Sequence, residues 1–214
     1  MLARRMMETQ TLIRLLDLVG IGVFALSGAL MAVRMRQTLV TASFFALLTG
    51  VGGGSVRDLL IGAPVFWVHD GLIAAVCIAI ALVVWMTPER WWRGQLLEWA
   101  DAVGLAAYAV FGTAKALAWG VPPVSALLMG VITGCVGGII RDVLAGAPSI
   151  IMRPEIYVTA AALASGLFLL LLWLGVPTIL AAPFGALAGF LLRGAAIRWS
   201  LALPIYGTDR GDPA

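Results

Sequence analysis

Charge is what this sequence has least of. Only 12% of its 214 residues are Asp, Glu, Lys or Arg, where a soluble domain usually carries about a quarter. So small a stock cannot cover a water-facing surface. That excludes a single soluble domain, a nucleic-acid-binding module and a disordered regulator. Lysine is scarcer still: Lys115 stands alone among 14 basic residues. One histidine, His69, and two cysteines leave no ligand set for a transition metal. Cys77 and Cys135 fall inside apolar runs and read as small buried hydrophobes, so no disulfide and no metal site are expected.

What is abundant is apolar: 62% of the chain, with 25 glycines. The expected fold class is all-α, a polytopic transmembrane protein in which residues 1–214 form a single membrane domain. Apolar runs and their breaks give seven segments, at about 15–33, 38–62, 66–86, 101–119, 124–146, 155–175 and 178–193. The longest polar stretch, Thr87 to Trp99, separates the third from the fourth. Its Trp91, Trp92 and Trp99 suit an amphipathic segment at headgroup level. Pro64, Gly120–Pro123 and Gly175–Pro177 mark other breaks. The tail over 206–214 is polar, reads as cytoplasmic and is expected to fray.

Arg4, Arg5 and Arg14 before the first run resemble the basic start of a cleaved signal peptide. An internal repeat argues that the run is retained. Asp17–Pro64 aligns without a gap on Asp101–Pro148, a constant offset of 84, with about 18 of 48 positions identical. The first segment is therefore the counterpart of the fourth. Three-helix units over 15–86 and 99–175 contain an odd number of spans, so the second copy enters the membrane from the opposite side. A seventh helix, over 178–198, stands outside the duplication. Inverted repeats of this kind build substrate and ion sites near the bilayer midplane, which points to transport.

Arginine placement suggests an orientation. Arg34, Arg36, Arg90, Arg93, Arg153, Arg193, Arg198 and Arg210 fall on one side, and Arg4, Arg5 and Arg14 on the other. The excess puts the C-terminus in the cytoplasm and the N-terminus outside.

The repeat is best preserved at TGVGGGSVRDLLIGAP (49–64) and TGCVGGIIRDVLAGAP (133–148). Gly50, Gly52, Gly53 and Gly54 cluster in the middle of the second span, and Gly134, Gly137 and Gly138 in the middle of the fifth. Each glycine costs about 1 kcal/mol relative to alanine in a helix, so a kinked or unwound stretch is expected. Carbonyls freed there could serve a cation. The competing reading is close helix packing through small residues, which suits the scattered Gly20, Gly28, Gly104, Gly112, Gly185 and Gly189.

Arg57-Asp58 and Arg141-Asp142 follow the clusters. Adjacent residues on a helix do not face each other, so neither pair is expected to neutralise itself. Pairing across the pseudo-twofold fails on depth, because inversion places the two motifs on opposite sides, about 20 Å apart. Two symmetry-related ion pairs are expected instead, Asp17–Arg57 and Asp101–Arg141. The alternative is that each Asp only complements its own helix N-terminus. Lys115, whose counterpart is Met31, either snorkels outward near Trp119 or projects into a pore.

The pattern G-G-G-x-x-R-D-x-L-x-G-x-P at Gly52–Pro64, repeated as V-G-G-x-x-R-D-x-L-x-G-x-P at Val136–Pro148, resembles bacterial glycine-transporter-domain membrane proteins. These are similar in turn to the trimeric intracellular cation (TRIC) channels. The resemblance spans roughly residues 15–195. It implies a homotrimer in which each protomer holds an hourglass pore for K+ and Na+, lined by kinked second and fifth helices. Carried onto this chain, the pore residues are Thr49, Gly52, Gly53, Gly54, Ser55, Thr133, Gly137 and Gly138, with Lys115 nearby. Val136 replaces the first glycine of the second motif. The Lys-Glu-Val tripeptide tied to lipid binding in animal channels is absent, so lipid regulation does not carry over. No cofactor is implied, only permeant ions and membrane lipids, with a bound lipid allowed. A carrier of a small solute such as glycine is the alternative. An enzyme is disfavoured, because no nucleophile–base pair stands out and His69-Asp70 reads as an interfacial loop.

Overall fold

A computed structural model describes the backbone of residues 2–204 and the side chains of residues 17–204. The tail over 206–214 and the side chains of Arg4, Arg5 and Arg14 lie outside the described residues. Among the described residues the chain forms seven α-helices: α1 (Leu2–Arg34), α2 (Leu39–Leu60), α3 (Gly71–Met86), α4 (Leu96–Ala118), α5 (Pro123–Leu144), α6 (Val158–Trp173) and α7 (Thr178–Trp199). Two short 3-10 turns, Glu89–Trp92 and Ile150–Met152, and one isolated bridge between Glu155 and Ala202 complete it.

Four helical stretches are long and apolar enough to cross a membrane: Asp17–Arg34, Leu39–Leu60, Pro123–Leu144 and Thr178–Trp199. α3 and α6 are apolar but only 16 residues each, about 24 Å of helix against a hydrocarbon core of about 30 Å. α4 is long enough but carries Glu98, Asp101 and Lys115.

Helix ends depart from the apolar runs at three places. α3 begins at Gly71 and not near residue 66, because residues 66–69 form a turn. α1 begins at Leu2, well before the expected start near residue 15, because a helix continues past the point where its sequence stops being apolar. α4 likewise starts at Leu96. Trp99 therefore sits inside α4, not in a headgroup-level loop, and its ring packs 5.9 Å from Phe190 of α7.

Within the first unit α1 packs on α2 and α3, and within the second α4 packs on α5 and α6. α2 crosses α5 and α1 lies along α4, which joins the two units, while α7 rests on α4 and α6. Each unit keeps its own apolar core, one around Phe24, Leu30, Phe45 and Val84, the other around Leu105, Tyr157 and Phe168. Both motif helices end alike. Gly62 and Gly146 adopt positive φ, +70° and +63°, a conformation that side-chain-bearing residues avoid. The amides of Ala63 and Ala147 then turn back to the carbonyls of Asp58 and Asp142, at 2.8 and 3.0 Å.

Candidate functional site

The glycine clusters do not unwind their helices. α2 and α5 run unbroken through both, which corrects the expected break. The glycines instead let two backbones meet. A Cβ on Gly53 would collide with the carbonyl oxygen of Thr133, and one on Gly137 with the carbonyl oxygen of Thr49. The offset of 84 exchanges these two contacts, so the crossing is reciprocal. Close packing through small residues offsets the helix-propensity cost that each glycine adds.

The threonine hydroxyls point away from this crossing. A Cβ on Gly28 of α1 would stand 2.6 Å from Thr49 Oγ1. Gly112 of α4 faces Thr133 Oγ1 in the same way. Thr133 donates to the Met129 carbonyl at 2.6 Å, whereas Thr49 Oγ1 is buried without a partner. Ser55 donates to the Val51 carbonyl at 2.8 Å and accepts from the Trp67 indole at 2.9 Å. It anchors the loop after Pro64. Gly54 accommodates the Phe66 ring, and Gly138 the Tyr157 hydroxyl and an Asp101 oxygen. Gly52 faces chiefly the tip of Ile140, with the Gly137 Cα farther off at 3.9 Å.

One turn beyond each crossing glycine lies a buried charged cluster. At the end of α2, Asp58 Oδ1 accepts from Arg57 Nε and Nη2 at 2.9 and 2.8 Å. Lys115 Nζ from α4 stands 2.8 Å from Oδ1 and 2.9 Å from Oδ2. The Phe66 amide donates to Oδ2 at 3.1 Å. At the end of α5, Asp142 Oδ1 accepts from Arg141 Nε at 3.0 Å and lies 2.9 Å from its Nη2, and the Ile150 amide donates to Oδ2 at 2.9 Å.

Adjacent Arg and Asp residues thus do pair, against expectation. The rule that neighbours diverge holds for Cβ directions, but the long guanidinium stem at a helix end bends back onto the next carboxylate. The two expected symmetric pairs divide. Asp101 pairs with Arg141 Nη1 at 2.5 Å. Asp17 makes no ion pair with Arg57; it accepts from the Tyr108 hydroxyl at 2.6 Å, and Arg57 acts on it only through space. Arg57 turns its guanidinium to the rings of Phe66 and Phe111, at 6.0 and 5.7 Å. Its Nη1 stays buried and unbonded. Lys115 does not snorkel outward; it reaches across to Asp58.

The substitutions that separate the halves explain this divergence. Phe111 stacks on Arg57, while its counterpart Ser27 accepts from Arg141 Nη1 at 3.2 Å. Tyr108, whose counterpart is Phe24, takes the Asp17 carboxylate. Lys115 neutralises Asp58, while its counterpart Met31 is in no position to do so for Asp142. The first cluster holds two cations against Asp17 and Asp58. The second holds Arg141 against Asp101 and Asp142, one negative charge in excess.

Sequence reasoning missed one further cluster. Arg193 of α7 is buried, pairs with Glu155 at 2.7 Å and lies 5.2 Å from the Tyr157 ring centroid. An arginine that interrupts the apolar run of α7 was its signal. Cys77 and Cys135 are free and buried. His69 is exposed in the loop before α3, and Asp70 caps that helix through the Leu72 amide at 3.2 Å. Among the described residues no group of His, Cys, Asp and Glu is placed to hold a metal ion.

An all-helical membrane protein, duplicated, with its copies joined at a reciprocal glycine crossing and a buried charged cluster on each side, defines the class. The chain belongs to the glycine transporter family, whose model matches residues 14–89 and again 98–173. It is 39% identical over 198 residues to the inner membrane protein YadS of Escherichia coli strain K12, covering 91% of this chain and 96% of that one. It is 38% identical over 206 residues to a UPF0126 membrane protein of Vibrio cholerae, covering 94% of this chain and 85% of the relative.

Among solved structures, the TRIC trimeric intracellular cation channel orthologue from Rhodobacter sphaeroides matches with a TM-score of 0.82 and 40% identity, over 89% of this chain and 100% of that chain. A prokaryotic TRIC channel crystallised in 0.5 M KCl matches with a TM-score of 0.82 and 26% identity, over 91% and 100%. The resemblance carried by the two motifs therefore extends over nearly the whole chain. Its relatives are membrane proteins and channels, not enzymes.

Proposed function

We propose that this protein is a monovalent cation channel of a bacterial inner membrane, a homotrimer with one pore per protomer. Its similarity to a channel described as trimeric, intracellular and cation-conducting supports both the activity and the assembly. The observation that carries the reading is the α2–α5 crossing. A cation at mid-depth needs oxygen ligands in place of water. The Thr133 carbonyl faces Gly53 and the Thr49 carbonyl faces Gly137 across it, and the buried, unpartnered Thr49 hydroxyl lies behind it on the α1 side.

In the arrangement described the two backbones touch, which is a closed constriction. Separating α2 from α5 by a small shift would open an hourglass path for K+ or Na+, with the glycines giving it room. Thr49, Gly53, Thr133 and Gly137 form the waist. Gly52, Gly54, Ser55 and Gly138 flank it. The four motif charges with Asp17, Asp101 and Lys115 set the potential at its two mouths. The mouth at Arg141 carries the excess negative charge and favours cations more than the mouth at Lys115. With the arginine-rich loops in the cytoplasm, the N-terminus lies outside and the more negative mouth faces inward.

A second reading, a carrier for a small solute such as glycine, is favoured by the description of the matching family. Proteoliposomes separate the two. A channel gives K+ flux that rises with the imposed potential and does not saturate at millimolar solute, without uptake of labelled glycine. Saturable glycine uptake with no K+ flux would support the carrier and overturn the channel.

A further inference from the structure

The two units differ where the motif loop leads into the next helix. Up to Phe66 and Ile150 the offset of 84 holds, and both amides donate to the motif aspartate. The link then takes residues 65–70 before α3 but residues 149–157 before α6. The three additional residues fall between Ile150 and Val158, the stretch that carries Arg153, Pro154, Glu155 and Tyr157. Helices α3 and α6 consequently correspond at an offset of 87, which makes Tyr157 the counterpart of Asp70.

Asp70 caps α3, but Tyr157 turns inward and is 1% exposed. A Cβ on Gly138 would stand 2.5 Å from the Tyr157 hydroxyl and 3.0 Å from Asp101 Oδ1. This side chain thus bridges the link, where residues 151–154 are exposed, to the buried cluster of Asp101, Arg141 and Asp142.

The longer link is met by partners that stand outside the duplication, α7 and the residues after it. Arg193 of α7 is buried and grips three consecutive residues. It donates to Glu155 Oε2 at 2.7 Å and to the Ile156 carbonyl at 3.3 Å, and its Cζ lies 5.2 Å from the Tyr157 ring centroid. Ser200 then ends α7 at positive φ, +52°, and the chain doubles back. Ala202 pairs antiparallel with Glu155, and the Leu203 amide donates to the Pro154 carbonyl at 2.7 Å. The loop of the first unit is held from within its own unit, by Phe66 on Gly54 and Trp67 on Ser55.

The two attachments differ in strength. A buried arginine paired with a carboxylate resists opening, whereas one exposed backbone hydrogen bond adds little net stability and opens readily. Residues 201–204 are all exposed, so this bridge releases first.

We propose that residues 201–204 form a strap. While paired with Pro154 and Glu155 the strap keeps Tyr157 seated on the Asp101–Arg141 cluster, and its release unseats Tyr157 and admits water to that cluster. The device is independent of what the protein transports. If ions pass, the cluster it covers is the mouth at Arg141.

Hydrogen–deuterium exchange of the full-length protein in detergent, read by mass spectrometry, tests the strap. Leu203→Pro removes the amide that donates to Pro154. Peptides spanning 150–157 should then exchange about three- to tenfold faster, the factor that one net hydrogen bond is worth, while those spanning 65–70 keep the wild-type rate. Cys135 is buried in the same core as Tyr157, within electrostatic reach of Asp101 and Arg193. In a Cys77→Ala background, its labelling by a small methanethiosulfonate should accelerate by a similar factor.

Unchanged exchange over 150–157 would overturn the proposal. So would faster exchange without faster labelling of Cys135, because the link would then move without unseating Tyr157. Equal acceleration over 65–70 would show general destabilisation and overturn it too. Should Leu203→Pro not accumulate, Ala202→Gly/Leu203→Gly, which loosens the strap through backbone entropy, decides by the same comparison.

Discussion

At the scale of single residues, every buried charge among the described residues has an ion-pair partner, in a cluster at the end of each motif helix and a third at Arg193. Asp58 is fully buried and is the hub of the first, accepting from Arg57, Lys115 and a backbone amide. Removing its charge strands a guanidinium that is 1% exposed. Breaking such a buried pair costs about 3–5 kcal/mol, so Asp58→Asn should lower the thermal midpoint sharply in detergent, as followed by circular dichroism. A midpoint within a degree or two of wild type would contradict the assigned hub. Lys115→Met gives the first cluster the residue found at the equivalent place in the second. Asp58 keeps Arg57 and the Phe66 amide, so the fold should survive, but the mouth beside position 115 becomes more negative. Unitary K+ conductance should rise, most visibly at low ionic strength where screening is weak. Unchanged conductance would place Lys115 outside the ion path.

These partners were only half legible in the sequence. The offset of 84 identified which charges matter and paired Asp101 with Arg141. Depth separated the two Arg-Asp motifs, and partners were then expected only among symmetric positions. The Arg57–Asp58 and Arg141–Asp142 pairs keep the offset, and the partners that differ between the halves follow the asymmetric positions: Lys115 for Met31, Tyr108 for Phe24, Phe111 for Ser27. Symmetry in a repeat indicates positions, and it is the departures from symmetry that choose partners.

At the scale of helices, the glycines of the motif differ in what they touch. Gly53 meets a carbonyl oxygen on the opposite backbone, which cannot move aside, while Gly52 meets the flexible end of Ile140 at 2.7 Å. The counterpart of Gly52 is Val136, so a side chain is already tolerated at that place in the other copy. Gly53→Ala should therefore destabilise the protein by about 1–3 kcal/mol through overpacking, and Gly52→Ala by much less, in paired thermal unfolding experiments. Equal losses would show that helix propensity, not the crossing, governs both. Composition alone gives a cluster of glycines the meaning of a broken helix. What it cannot display is the second helix, whose approach supplies the reason for the glycines without any break. Boundaries failed for a related reason: α1 and α4 extend beyond their apolar runs because backbone hydrogen bonding does not stop where hydropathy does.

At the scale of the whole molecule, the number of helices, the duplication and the extra seventh helix all followed from hydropathy and an ungapped self-alignment, because both are patterns along one chain. The central claim is that the α2–α5 crossing gates a cation path. Single-channel recording of the purified protein in planar bilayers, under a KCl gradient, tests it most directly. The account predicts unitary currents whose reversal potential lies near the K+ equilibrium potential and whose open probability rises in Gly53→Ala, where the crossing is pushed apart. Currents reversing near the chloride potential, or silent bilayers with the same protein active in glycine uptake, would contradict it.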